Sequence, residues 1–154
     1  MHHVSPGLKI SAALAASFVA LDQLTKLIIR SSIPEGASIP LIPGFFSIAH
    51  LQNTGAAFSI FQGYTTLLII VSVVVLFAII YFYRDLATDR RSLIAASLIL
   101  GGLVGNLIDR VFLGSVTDFI AFSFWPAFNV ADSAATIGVA ILILSNLFKP
   151  KLLQ

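Results

Sequence analysis

Apolar residues in this chain fall in long continuous blocks, too long for the alternation of a half-buried strand. Four blocks reach the length of about 20 residues that a bilayer-crossing helix needs: residues 8–29, 64–83, 92–113 and 129–148. The second, "YTTLLIIVSVVVLFAIIYFY", is almost wholly apolar. This pattern predicts an all-α polytopic membrane protein with four transmembrane helices, forming a single membrane-embedded domain over residues 1–154. Residues 30–63 are rich in Pro, Gly and Phe and contain alternating stretches such as "FFSIAHLQN". They predict short strands packed at the membrane surface, a small β-structure between helices 1 and 2. Residues 114–128 carry Phe122, Phe124, Trp125 and Phe128. Trp is enriched at bilayer interfaces, so this stretch reads as a loop resting on the headgroups. His50 reads as an interfacial loop residue. The remaining connection, "RDLATDRR", is short and mostly basic.

Composition strengthens the membrane reading. Hydrophobic residues make up 58% of the chain and charged residues 10%, against about 25% charged in a soluble domain. The first apolar block exceeds the 7–15 residues of a cleaved signal peptide and reads as a retained span. There is no cysteine, which excludes disulfides, thiolate metal sites and a cysteine nucleophile. The net charge of +2 contains no nucleic-acid-type basic block, and no nucleic-acid partner is expected. Its distribution is informative. Lys9, Arg84, Arg90, Arg91, Lys149 and Lys151 fall on one side of a four-span arrangement, and Lys26, Arg30 and Arg110 towards the other. The positive-inside rule then puts both termini in the cytoplasm and turns segments 30–63 and 114–128 outward.

The expensive polar residues come next. Asp22 and Lys26 lie inside the first block, with Asp22 about 21 Å along its helix. An aspartate at mid-membrane costs about 2.5–3.5 kcal/mol and calls for a partner. Asn106 stands at the same depth in the third block, and Asn106, Asp109 and Arg110 share a face at i, i+3 and i+4. Gly101 and Gly105 allow close helix approach. Structural readings stand beside functional ones. Asp22 and Lys26 can neutralise each other, Arg110 can snorkel, Asn53 can form a turn, and Asp132 can be a first-turn acid. Yet Asp22, Lys26, Asn53, Asn106, Asp109, Arg110, Asp118, Asn129 and Asp132 all fall at the outward end. A single polar site at the outer leaflet accounts for that clustering; independent structural roles do not.

The inventory narrows the chemistry. There is no H-E-x-x-H and no G-x-S-x-G, and the glycines of "GGLVGN" lie inside an apolar helix. A Ser–Lys pair, Ser31 or Ser32 with Lys26, stays open. Two aspartates in "VTDFIAFSFWPAFNVAD", Asp118 and Asp132, can share one proton and activate a water against a peptide bond. Their spacing alone does not fix their geometry. A proton- or cation-conducting pathway and a non-catalytic scaffold are the competing classes. A pathway should continue into the cytoplasmic half, where only scattered Ser and Thr occur.

At these residues the chain resembles the lipoprotein signal peptidases (signal peptidase II). The blocks "DQLTK" (22–26), "NTGAAF" (53–58), "GGLVGNLIDR" (101–110), "VTDF" (116–119) and "FNVAD" (128–132) occur in the family's order. Thr117 stands where the family usually has an apolar residue. The resemblance implies a four-span aspartyl protease of the bacterial inner membrane with a small extracytoplasmic β-structure. It implies removal of signal peptides from prolipoproteins by a cut before a diacylglyceryl-modified cysteine. Asp118 and Asp132 would be the catalytic dyad. Asn53, Asn106, Arg110 and Asn129, with Gly55, would line the site and hold the substrate backbone. Asp22 and Lys26 would support it, and Asp109 would be structural. No cofactor or metal is expected. The expected partners are prolipoproteins and membrane phospholipids, with the protein itself a monomer.

Overall fold

The computed structural model describes residues 6–55, 61–83 and 89–147. Its elements are α1 (Pro6–Ser32), β1 (Ser38–Ile42), β2 (Phe46–Asn53), α2 (Thr65–Tyr81), α3 (Arg90–Leu113), β3 (Val116–Phe122), β4 (Trp125–Phe128) and α4 (Val130–Leu147). Each expected apolar block contains a helix. By length and composition α1 and α3 suffice to cross a membrane; α2 and α4 are shorter apolar helices. Much of "RDLATDRR" and the last three residues of "NTGAAF" lie outside the described residues.

Local chemistry sets the helix ends. The Asp89 carboxylate caps α3 by accepting from the backbone N–H groups of Arg91 (2.8 Å) and Ser92 (3.0 Å), two donors with no partner inside the helix. At the other end Gly114, at φ 77°, takes the left-handed conformation that stops α3, which glycine adopts without steric cost. β3 starts two residues later.

α3 is the central post, and small residues let its neighbours close in. A Cβ added at Gly101 would stand 2.9 Å from Phe18 Cβ and 3.0 Å from the Ala15 carbonyl oxygen, both on α1. One added at Gly102 would run into the Ala131 carbonyl oxygen and lie 2.9 Å from Ala135 Cβ, both on α4. Gly138 of α4 meets α3 equally closely, with the Ala95 carbonyl oxygen 2.7 Å from its would-be Cβ. Gly102→Ala should therefore wedge α3 from α4 and cost about 1–3 kcal/mol. The check is a lower thermal midpoint in detergent; an unchanged midpoint would mean the contact yields. By contrast Leu24, Leu27, Ile70, Val74, Phe77 and Ile80 are exposed, and Ser72 is the buried residue of α2. Apolar surface on this scale suits lipid rather than water.

The sheet corrects two expectations. It has four antiparallel strands in the order β1-β2-β3-β4, so the β-structure is not confined to the segment between α1 and α2. Residues 116–128 are not a loop but the second hairpin of this sheet. The reason is pairing. "VTDFIAF" is rich in β-branched and aromatic residues and finds β2, with Leu51 opposite Asp118 and Phe46 opposite Phe122. The rings of Phe46 and Phe122 stack at 4.9 Å, and Phe45 meets Phe122 edge-on at 5.6 Å. His50 is likewise not a loop residue. It lies buried on β2 with Nδ1 2.7 Å from the Ile33 carbonyl oxygen, which ties the sheet to the end of α1.

Candidate active site

The site forms where the C-terminal ends of α1 and α3, the N-terminal end of α4 and the sheet meet. α4 begins with a reciprocal cap. Asn129 Oδ1 accepts from the Asp132 N–H (2.9 Å), and Asp132 Oδ2 accepts from the Asn129 N–H (3.2 Å). This is a capping box with Asn and Asp in its two places. The next free N–H, that of Ala131, donates to Asp22 Oδ1 of α1 at 2.9 Å. Asp132 is thus a first-turn acid, as its sequence position allows, and it also faces the site.

The asparagines hold both carboxylates. Asn129 Nδ2 donates to Asp118 Oδ1 at 2.7 Å and Asn53 Nδ2 donates to Asp118 Oδ2 at 3.0 Å. Asn106 Nδ2 donates to Asp132 Oδ1 at 2.7 Å. All four carboxylate oxygens therefore accept hydrogen bonds, and Asn129 touches both acids. Asn53 is itself fixed, since its Oδ1 accepts from the Gly55 N–H (2.9 Å), while the Gly55 carbonyl accepts from Arg110 Nη2 (3.1 Å).

Beneath these residues lies a buried ionic layer. Lys26 is fully buried. Its Nζ reaches Asp22 Oδ2 (2.9 Å), Asp109 Oδ2 (3.1 Å) and Asn106 Oδ1 (3.0 Å), which uses all three ammonium donors. An ammonium can only donate, so it turns the Asn106 oxygen towards itself and the Asn106 amide nitrogen towards Asp132. The Ser–Lys alternative is not formed: Lys26 is fully engaged, and Ser31 Oγ is exposed, donating to the Ile28 carbonyl. Asp109 also receives Gln23 Nε2 (3.0 Å) and the Thr117 N–H (3.0 Å), with Arg30 Nη1 3.6 Å away.

Charge and burial act together here. Four carboxylates, Asp22, Asp109, Asp118 and Asp132, meet three cations, Lys26, Arg30 and Arg110. A single proton on the acids makes the cluster neutral. Asp118 is placed to take it. Burial first, and then the nearby Asp132 carboxylate, push its pKa up to about 7. Hydrogen bonds from Asn53 and Asn129, and the charge of Lys26, oppose that rise. A cavity of about 870 Å³ opens over the two acids. Asn53, Arg110, Asp118, Asp132, Trp125 and Thr136 are among its lining residues. Among the described residues Arg110 Nε is buried without a hydrogen-bond acceptor.

Every site residue expected from the sequence therefore falls in one connected cluster. Sequence reasoning missed the contributions of Gln23, Arg30 and Thr117. Gln23, Lys26 and Arg30 lie at i, i+3 and i+7, one polar stripe on α1 that helical periodicity alone would expose. The opposite half of the bundle offers no comparable cluster among the described residues; its buried polar contact is a Ser11–Ser97 hydroxyl pair at 2.7 Å.

Comparison with known proteins extends this picture. A family model described as signal peptidase (SPase) II matches residues 14–148. A lipoprotein signal peptidase of Dehalococcoides mccartyi is 50% identical over 143 residues, covering 90% of this chain and 88% of that protein. One from Geobacter metallireducens is 42% identical over 149 residues, covering 92% of each. A bacterial membrane enzyme solved by the in meso method at 2.3 Å superimposes with a TM-score of 0.85 at 36% identity, covering 95% of both chains. With the motif blocks converging on one polar site and these likenesses running nearly end to end, the chain belongs to the signal peptidase II family.

Proposed function

We propose that this protein is a membrane aspartyl endopeptidase. It removes signal peptides from prolipoproteins, cutting before a cysteine that carries a diacylglyceryl group, with Asp118 and Asp132 as its dyad. The observation that carries the reading is the pairing of these two acids at the wall of one cavity, each oxygen held by an amide donor and both acids joined through Asn129. Asp118 holds the shared proton. Asp132 takes a proton from water as the hydroxide attacks the scissile carbonyl carbon, and Asp118 passes its proton to the carbonyl oxygen. The tetrahedral diol then collapses. Asp132 protonates the departing nitrogen, the C–N bond breaks, and a diol hydroxyl returns its proton to Asp118. Asn53 and Arg110, both lining the cavity, orient the substrate backbone.

The four apolar helices are read as four spans of one monomeric domain in the inner membrane, in contact with phospholipid, with both termini cytoplasmic. The site then lies at the outer leaflet. A diacylglyceryl chain buried there, at about 0.8 kcal/mol per CH₂, anchors substrate generically and leaves the polar groups only to align the peptide. Purified protein should cleave a diacylglyceryl-modified prolipoprotein, fail on the unmodified precursor, and keep its activity under a metal chelator. Cleavage that ignores the lipid, or that the chelator abolishes, would sink this reading.

The proton count sets the pH dependence. The active dyad holds one proton, and it resides on a group whose pKa is raised to about 7. Turnover should therefore fall as pH rises through about 7, when that proton is lost, and fall again in acid when both carboxylates are protonated. The measurement is kcat/KM against pH in detergent, which reports the groups of the free enzyme. A profile flat up to pH about 9 would contradict the assignment.

A further inference from the structure

Thr117 is wholly buried, and each of its polar groups is gripped by a different helix. Its N–H donates to Asp109 Oδ2 of α3 (3.0 Å), and its carbonyl accepts from Asn129 Nδ2 at the head of α4 (3.4 Å). Its Oγ1 accepts from Arg30 Nη1, on the last turn of α1, at 3.2 Å. The same Nη1 lies 3.6 Å from Asp109 Oδ1, so one guanidinium nitrogen faces both the hydroxyl and the carboxylate. Thr117 immediately precedes Asp118, and the β2–β3 ladder changes register between Ile48 and Leu51, just where Asp118 pairs. At such an irregularity the ladder alone does not set the aim of a side chain.

From these contacts we propose that Arg30 and Thr117 are a positioning pair: Arg30, anchored on Asp109, holds the Thr117 hydroxyl and thereby aims the neighbouring Asp118 carboxylate at Asp132. This rests on the dyad proposed above. Neither residue touches the reacting atoms. The geometric reason is that the N–H and carbonyl of Thr117 go to Asp109 and Asn129 while its neighbours Val116 and Asp118 pair with β2, so these contacts hold the backbone of the strand but not the Thr117 side chain. The hydroxyl supplies the third anchor. Threonine has few χ1 options, so fixing Oγ1 also fixes the Cα–Cβ direction. Arginine suits the task because a single Nη nitrogen carries two N–H groups, one for each acceptor.

A misplacement of about 1 Å costs about 10²-fold in rate, and losing one anchor of three should cost less, about five- to tenfold. Thr117→Val removes the hydroxyl at constant shape; Arg30→Gln removes its donor from a partly exposed position. Each should lower kcat about five- to tenfold with KM held within about twofold. The double variant should be no slower than the slower single, because both changes delete one hydrogen bond. Thr117→Ser should restore turnover to within about twofold of wild type. Wild-type kcat in Thr117→Val, losses that multiply in the double variant, an effect on KM alone, or a Thr117→Ser variant as slow as Thr117→Val would each overturn the pair. If Thr117→Val does not fold, Arg30→Gln alone decides by its kcat and KM. Asp118→Asn separates the two levels. If it is inactive while Thr117→Val and Arg30→Gln are unimpaired, only the pair fails; if it keeps turnover, the dyad fails first.

Discussion

Asp118→Asn and Asp132→Asn should each remove cleavage of a lipid-modified prolipoprotein, with kcat falling by about 10²–10⁴-fold. An amide can neither carry the shared proton nor take one from water. Both variants should nevertheless stay folded. At Asp118 the donors are Asn53 Nδ2 and Asn129 Nδ2. An amide keeps one acceptor oxygen and turns its nitrogen against the other donor, so one side-chain hydrogen bond is lost. At Asp132 the same loss falls on Asn106 Nδ2 or on the Asn129 N–H, while the cap itself, Asn129 Oδ1 accepting from the Asp132 N–H, is kept. Each variant should therefore lose a similar amount of stability, about 1 kcal/mol. Single-turnover cleavage and thermal midpoints in detergent test both statements. Near-wild-type turnover in either folded variant would refute the dyad.

The largest stability effect should come from Lys26→Met. The methionine fills similar volume, but Asp22 and Asp109, both with fully buried side chains, lose their shared cation. Removing one partner of a buried ionic group costs about 3–5 kcal/mol, because the remaining charges stay desolvated. Turnover should fall as well, since the Asn106 oxygen keeps only the Asn129 Nδ2 donor (3.1 Å) to hold its nitrogen on Asp132. The cost should be partly relieved in Lys26→Met/Asp109→Asn, which withdraws one of the stranded charges. A double variant less stable than Lys26→Met alone would show that Asp109 matters more as a hydrogen-bond acceptor for Gln23 and Thr117 than as a charge.

Asp22 and Asn106 show how far the sequence could be read. Helical rise placed them at one depth, and in the structure Lys26, one turn beyond Asp22, bridges the two helices at 3.0 Å from Asn106. Asp109 has the structural role suggested by its motif position: its carboxylate links α1 to the strand that carries Asp118. His50 and residues 116–128 were misread for one reason. Their environment is made by strands whose partners lie far off in sequence, such as Gln52 with Thr117. A strand edge carries no local sign of the chain that will cover it.

What depends on local composition and short spacing could be read from the chain alone. That covers the four apolar helices, the glycine contacts of α3, the gathering of costly polar residues at one end, and the motif blocks that mark the family. The tertiary structure decided which atoms face each other. It joined two distant hairpins into one sheet and made Asp132 both a helix cap and a wall of the cavity. It also let Lys26 and Asn129, both donating to the Asn106 oxygen, set the orientation of that amide. Hydrogen bonds and ion pairs have direction, and direction is set only when residues remote in the chain are brought within about 3 Å of one another.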